Sequence, residues 1–275
     1  MRIDSHHHVW NLTDREYPWL GARGSSPIAR DFAIADLVPL AAARNIERTV
    51  LVQALETAEE TASLLRVAER SDLVGGVVGW VDLTAPDVAD QLAATQHSSL
   101  VGIRHAVQSE EDPDWLARPD VLRGLAEVAK AGLVYDLLTL PHQLPAALRS
   151  VVSVPECRFV LDHLSKPPIA SGDLEPWATR IHALAAEPNV VCKLSGMVTE
   201  ASPKWTVAEL RPYADIVLDA FGPERVMFGS DWPVCTLAGS YEQVVEAAEE
   251  LTAGLSAAER EQVFGGTAQR VYGIS

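Results

Sequence analysis

Residues 48–55 read RTVLVQAL. Thr49 to Val52 form an unbroken run of apolar or β-branched residues, and the run ends abruptly at the polar Gln53. A strand wetted on one face alternates apolar and polar residues. A continuous run is what a strand covered on both faces shows, as in a buried parallel sheet. The same shape recurs at 2–6 (RIDSH), 73–83 (LVGGVVGWVDL), 100–105 (LVGIRH), 133–140 (LVYDLLTL), 158–163 (RFVLDH), 189–196 (NVVCKLSG) and 225–231 (RVMFGSD). Between the runs lie stretches with helical spacing and good helix formers, among them IADLVPLAAARNI, TAEETASLLRVAERS, PDVLRGLAEVAKAG and SYEQVVEAAEEL. Several open on Asp, Thr, Ser or Pro, where a helix start wants them. Eight strand–helix alternations in 275 residues predict an α/β chain folded as a single-domain (β/α)8 barrel over 1–275. An open doubly wound sheet is the alternative, but no GxGxxG or P-loop follows an early strand. Long connections are expected at 9–31, 106–119 and 164–177.

Apolar residues make up 48% and charged residues 22% of the chain, the balance of a globular enzyme. No apolar stretch reaches membrane-spanning length, and no basic segment followed by an apolar run marks a signal peptide. Cys157, Cys192 and Cys235 are odd in number and far apart, which argues against a disulfide framework and for the cytoplasm. The net charge of −16 argues against nucleic acid and anionic membranes as partners. It leaves open a small-molecule substrate and either a monomer or a homo-oligomer.

A barrel places its chemistry at the C-terminal ends of its strands. Here those ends carry His6–His8, Gln53, Trp80 with Asp82, Arg104 with His105, Tyr135 with Asp136, Asp162 with His163, Lys193 with Ser195, and Ser230 with Asp231. One polar ending is unremarkable; eight round one rim predict a site. Strand alternation aims His6 and His8 at one point and turns His7 away to pack. The pair suits a divalent metal or two hydrogen bonds to one oxyanion. A strand pattern runs into the histidines, which argues against a purification tag. His163 ends an apolar strand before Pro-Pro. Asp231, between Gly-Ser and Trp-Pro, is poorly explained by packing; it suits a metal ligand or a base acting on water. Arg104, His105, Gln53, Tyr135 and Lys193 are candidate substrate contacts, with rim ion pairs to Asp82, Asp136 or Asp162 as the alternative for the two cations. Lys166 is a further possible cation. Trp10, Trp80 and Trp115 are candidate walls for a ring. His97, His142, His182 and the cysteines receive no role.

Several segments taken together, IDSHHHVW, VQAL, GIRH, DPDWL, LDHLSKPPI, CKLSGMVTEA, LRPYAD, FGSDWPVC and GGTAQRVYGI, resemble the amidohydrolase superfamily. They are most similar to its branch of sugar lactonases, which includes L-fuconolactone, L-rhamnonolactone and pyrone-dicarboxylate lactonases. The resemblance spans the chain in order. It implies a (β/α)8 barrel, His6 and His8 as the first-strand HxH, His163 as the sixth-strand histidine, Asp231 as general base and metal ligand, and Arg104 holding substrate. It also implies hydrolysis of a lactone. Members with two metals carry a bridging lysine or glutamate after strand 4 and a histidine after strand 5. Arg104, His105, Tyr135 and Asp136 stand there instead, which implies one divalent ion, zinc by ligand type, or none. A sugar-acid lactone is the leading expectation. The other expectations are a pyrone or muconolactone dicarboxylate, a metal-dependent non-oxidative decarboxylation, and a non-catalytic binding protein.

Overall fold

A computed structural model describes residues 1–275. Eight parallel strands neighbour one another in chain order: β1 (Ile3–His7), β2 (Arg48–Val52), β3 (Val74–Gly79), β4 (Leu100–His105), β5 (Val134–Leu137), β6 (Arg158–Leu161), β7 (Val190–Leu194) and β8 (Val226–Phe228). Beyond β8 the chain returns to β1. The Asp231 N–H donates to the His6 carbonyl at 2.8 Å, and the His8 N–H donates to the Trp232 carbonyl at 2.7 Å. The predicted (β/α)8 barrel is the fold observed.

Helices α1 (Ile34–Ala43), α2 (Ala58–Ala68), α3 (Val88–Ala94), α4 (Pro119–Lys130), α5 (Leu144–Ser153) and α6 (Trp177–Ala185) follow the first six strands. The short α7 (Met197–Glu200) and longer α8 (Val207–Phe221) follow β7; α9 (Tyr241–Leu251), α10 (Ala257–Glu261) and α11 (Thr267–Tyr272) follow β8. Their starts are chemically marked. The Thr57 hydroxyl caps α2 by accepting from the Glu60 N–H, and Ser240 and Gln243 form a capping box on α9. The long connections expected after β1, β4 and β6 are present. Two more, 195–206 and 229–240, were not expected. The third strand stops at Gly79, short of the predicted 83, because Thr61 Oγ1 takes the Trp80 N–H and ends the ladder. Asp82 then caps a turn through Thr84 and stands away from the cavity.

The core has two layers. One fills the space between sheet and helices; the other lies inside the barrel. Inside, Ile3, Val50, Val52, Val78, Val134, Val160, Val191 and Met227 meet, and Val271, Tyr272 and Ile274 at the C-terminus close them from below. Strand alternation then decides what sits above. Two residues beyond Val134, Val160 and Val191 stand Asp136, Asp162 and Lys193, all fully buried, with the buried Arg104 two beyond Gly102. A layer of two cations and two carboxylates therefore separates the apolar floor from the cavity above.

Strand β1 changes phase on the way up. Asp4 pairs with Thr49 but His7 pairs with Leu51, so β1 spends three steps against two in β2. Such a bulge re-aims side chains. Ile3 faces the interior and so does His6, an odd number of residues later. Asp4 faces out, accepting from the Ser230 N–H at 2.8 Å, the His6 N–H at 3.2 Å and the Tyr241 hydroxyl at 3.2 Å.

Candidate active site

His6 and His8 rise into the barrel mouth with their Nε2 atoms 3.2 Å apart. Asp231 faces them, its Oδ1 3.5 Å from His8 Nε2 and 3.8 Å from His6 Nε2. His163 Nε2 lies 3.9 Å from the same oxygen. Each side chain is fixed from behind. His8 Nδ1 lies 2.8 Å from the Val52 carbonyl, which can only accept, so Nδ1 donates to it and Nε2 turns to Asp231. His163 Nδ1 lies 2.8 Å from Ser195 Oγ. His6 Nδ1 lies 3.1 Å from Lys193 Nζ and 3.4 Å from Asp162 Oδ1. Asp231 adopts a left-handed backbone (φ 57°), and His163 opens a left-handed run. Gly196 is required beside it: a Cβ there would come within 2.6 Å of the His163 ring, and its own φ is +64°.

The electrostatics follow from burial. Desolvation pushes His163 down to about 4 and His6 well below 6.5, so both rings are neutral at pH 7. Desolvation alone would raise Asp231, but His163, the hydrogen bond from His8 and the charge of Lys166 outweigh it and hold the carboxyl below 3.8. Asp231 is therefore held as a carboxylate facing the neutral rings of His163 and His6. Beneath them Arg104 Nη1 sits 3.0 Å from Asp162 Oδ2 and 3.3 Å from His6 Nε2, and Nη2 donates to the Gln53 carbonyl. Lys193 Nζ sits 2.6 Å from Asp136 Oδ2, with Asp162 Oδ1 at 3.0 Å as a charge contact rather than a directed hydrogen bond. Facing both cations holds Asp162 ionised despite its burial.

Above this floor opens a cavity of about 420 Å³. His8, His163, Asp231 and Arg104 form its base, and Gln53 stands on its wall, as the sequence suggested. Five expected substrate contacts do not reach it. Lys193 is locked in the charged layer with no exposed surface. Tyr135 alternates outward and packs on Phe159. The Trp10 indole N–H donates to the Arg30 carbonyl, and its ring packs edge to face with Trp19. The Trp80 indole nitrogen instead approaches His105 at 3.2 Å. His105 is itself stacked on Trp115 and clamped between Glu56 at 2.8 Å and Glu110 at 2.7 Å. Lining residues the sequence reading missed are Trp19, Glu56, Gln108, Glu200 and Leu237. Glu200, Leu237 and their neighbours come from the two unexpected connections. Trp19 sits in EYPWL, whose clustered aromatics were the one available signal.

The donor set fits one divalent ion. A tetrahedral ion at about 2.0–2.1 Å from nitrogen and oxygen ligands separates those ligands by roughly 3.3–3.4 Å. The observed spacings among His6, His8 and Asp231 are 3.2, 3.5 and 3.8 Å. His163 can join the set: its ligand nitrogen lies within 4.8 Å of the ligand nitrogen of His6 and the ligand oxygen of Asp231.

A buried carboxylate facing imidazoles at the C-terminal rim of a (β/α)8 barrel is the kind of site that hydrolases use. The amidohydrolase family model matches residues 3–274. An L-fucono-1,5-lactonase of Burkholderia multivorans is 41% identical over 288 aligned residues, covering 100% of this chain and 96% of the relative. An L-fucono-1,5-lactonase of Burkholderia ambifaria is 43% identical, covering 87% of this chain and 83% of the relative. A crystal structure of a Burkholderia multivorans amidohydrolase with bound zinc superposes with a TM-score of 0.93 at 41% identity, covering 100% of both chains. The chain belongs to the amidohydrolase family.

Proposed function

We propose that this protein hydrolyses a sugar-acid (aldono-) lactone. The observation that carries the reading is the buried Asp231 carboxylate at the base of a cavity of sugar size, 3.5, 3.8 and 3.9 Å from the Nε2 atoms of His8, His6 and His163. Asp231 takes a proton from a water while the water oxygen attacks the lactone carbonyl carbon. The carbonyl oxygen becomes an oxyanion, stabilised by a ring N–H already in place. When the Ser195 hydroxyl donates to His163 Nδ1, the His163 proton sits on Nε2 and faces that oxyanion. The ring C–O bond then breaks, and Asp231 returns its proton to the departing ring oxygen, giving the open hydroxy acid. His6, His8 and Asp231 would hold a divalent ion, joined by His163 only in the tautomer that leaves its Nε2 unprotonated, and the ion supplies Lewis-acid polarisation of the carbonyl when bound.

The relatives named for L-fucono-1,5-lactone and the paired state of the cavity cations both support a neutral sugar lactone over a dicarboxylate. Arg104 is committed to Asp162 and Gln53, and Lys166 has Glu200 beside it at 3.9 Å, so a substrate carboxylate would meet no cation without a neighbouring carboxylate or carbonyl. The test is proton release by purified protein from a panel of aldono-1,5- and aldono-1,4-lactones. Asp231→Asn is expected to lower kcat/KM by about 10²–10⁴-fold. No opening of any lactone, or equal rates in wild type and Asp231→Asn, overturns the reading.

A further inference from the structure

Four consecutive non-glycine residues, His163 to Lys166, hold φ values of 53°, 54°, 58° and 50°. L-residues seldom adopt this conformation, and a run of four persists only where the surroundings impose it. Both ends of the run reach the cavity, His163 at its base and Lys166 on its wall. The short helix α7 brings Glu200 to the same wall, leaving Lys166 Nζ 3.9 Å from Glu200 Oε1 with both side chains about a quarter exposed (25% and 28%). That gap is too long for a hydrogen bond between them.

We propose that Lys166 and Glu200 are the specificity pair of this enzyme, reading hydroxyl groups on the substrate ring. A hydroxyl oxygen seated between them accepts from Nζ and donates to Oε1. At ordinary lengths of about 2.8 and 2.7 Å, the 3.9 Å gap gives roughly a right angle at that oxygen, open enough for both bonds. The charge pattern points the same way. A carboxylate on this wall would face Glu200, with Glu56 and Asp231 also lining the cavity, whereas a hydroxyl satisfies the cation and the anion at once. Neither residue is needed for the proton transfers at Asp231.

The inference rests on the lactonase reading for the shape of the ring, and its test is independent of turnover. A polyhydroxylated δ-lactam, whose amide bond resists opening, is titrated calorimetrically into wild type, Lys166→Met and Glu200→Gln. The unsubstituted δ-lactam is measured by displacement, and thermal melts confirm that each variant is folded. Wild type is expected to bind the hydroxylated lactam at least about tenfold tighter than the bare one, and that ratio is expected to fall by about tenfold in either variant. No preference in wild type, an unchanged ratio in the variants, or equal weakening of both lactams overturns the proposal. Failure of the lactonase reading registers separately, as binding without proton release from the corresponding lactone.

Discussion

Lys193 Nζ lies 3.1 Å from His6 Nδ1, inside the barrel and beneath the cavity rather than in it. The ammonium ties three elements together, with Asp136 at 2.6 Å and Asp162 at 3.0 Å, while the Tyr272 hydroxyl of α11 holds both oxygens of Asp136 at 2.9 Å. Removing the cation leaves the buried Asp136 without a counter-charge and leaves Asp162 with Arg104 alone. Lys193→Met is therefore expected to lose about 3–5 kcal/mol in urea unfolding. Since Lys193 touches His6 and not the cavity, the folded variant is expected to lose kcat with KM little changed. A raised KM at unchanged stability would return Lys193 to the role of a substrate contact.

His7 and His8 separate function from stability on adjacent residues. His7 faces Thr49 Oγ1 at 2.9 Å in the outer layer, and burial pushes its pKa down to about 3, so it stays neutral at working pH. His7→Ala is expected to cost about 1–3 kcal/mol and leave activity per folded molecule near wild type. His8→Ala removes a neighbour of Asp231 and is expected to lower kcat/KM by about 10²-fold or more with a small change in unfolding. Chemical denaturation and proton-release kinetics on the two variants check both. Essentiality of His7 with dispensability of His8 would mean that β1 runs in the other phase.

The barrel, and the convergence of residues at the base of its cavity, were legible because both rest on strand periodicity. Eight continuous apolar runs gave the strands, and polar residues at their ends gave His6, His8, His163, Arg104 and Asp231. Alternation also explains two errors. Tyr135 and Lys193 both lie near strand ends, but Tyr135 falls on the outward phase, and Lys193 falls inward one layer too deep to reach the cavity. The bulge in β1 left no mark in the sequence, and Asp4, which braces Ser230 beside Asp231, looked like an ordinary strand residue. Glu200, Trp19 and Leu237 were illegible for a different reason. They hang from irregular connections whose paths are set by distant contacts, such as the Trp19 indole donating to the Ala54 carbonyl.

His105 makes the connection after β4 sensitive to pH. Its ring bridges Glu56 and Glu110, and the Glu56 carboxylate also takes the Ala106 N–H at 2.7 Å. Burial opposes the charged ring, but the two carboxylates outweigh it and raise its pKa above 6.5. A raised folded-state value means that the folded protein binds the proton more tightly than the unfolded chain. The stabilisation is full below pH 6.5 and is lost as pH rises through the folded-state value. Wild type is expected to lose Tm above pH 6.5 more steeply than His105→Asn, and to become more open to protease within 106–118. Parallel Tm curves for the two proteins between pH 6 and 9 would remove His105 as the cause.

Zinc offered to chelator-stripped protein is expected to bind at one ion per chain, because one set of donors converges and Arg104 stands where a second ion would need a bridging ligand. The pH dependence of this binding follows from burial. Protons compete with a metal for imidazole only near or below the ring's own pKa. His163 sits at about 4 and His6 well below 6.5, both lowered by desolvation, so neither gains a competing proton at pH 6. Affinity is thus expected to fall less between pH 7.5 and 6 than it does for free imidazole, whose nitrogen protonates across that interval. Calorimetric titration at the two pH values measures this, and His6→Ala or Asp231→Asn is expected to weaken binding by about tenfold or more. Two ions per chain, or an affinity indifferent to both substitutions, would place the metal elsewhere and leave the three histidines and Asp231 to act as hydrogen-bonding groups alone.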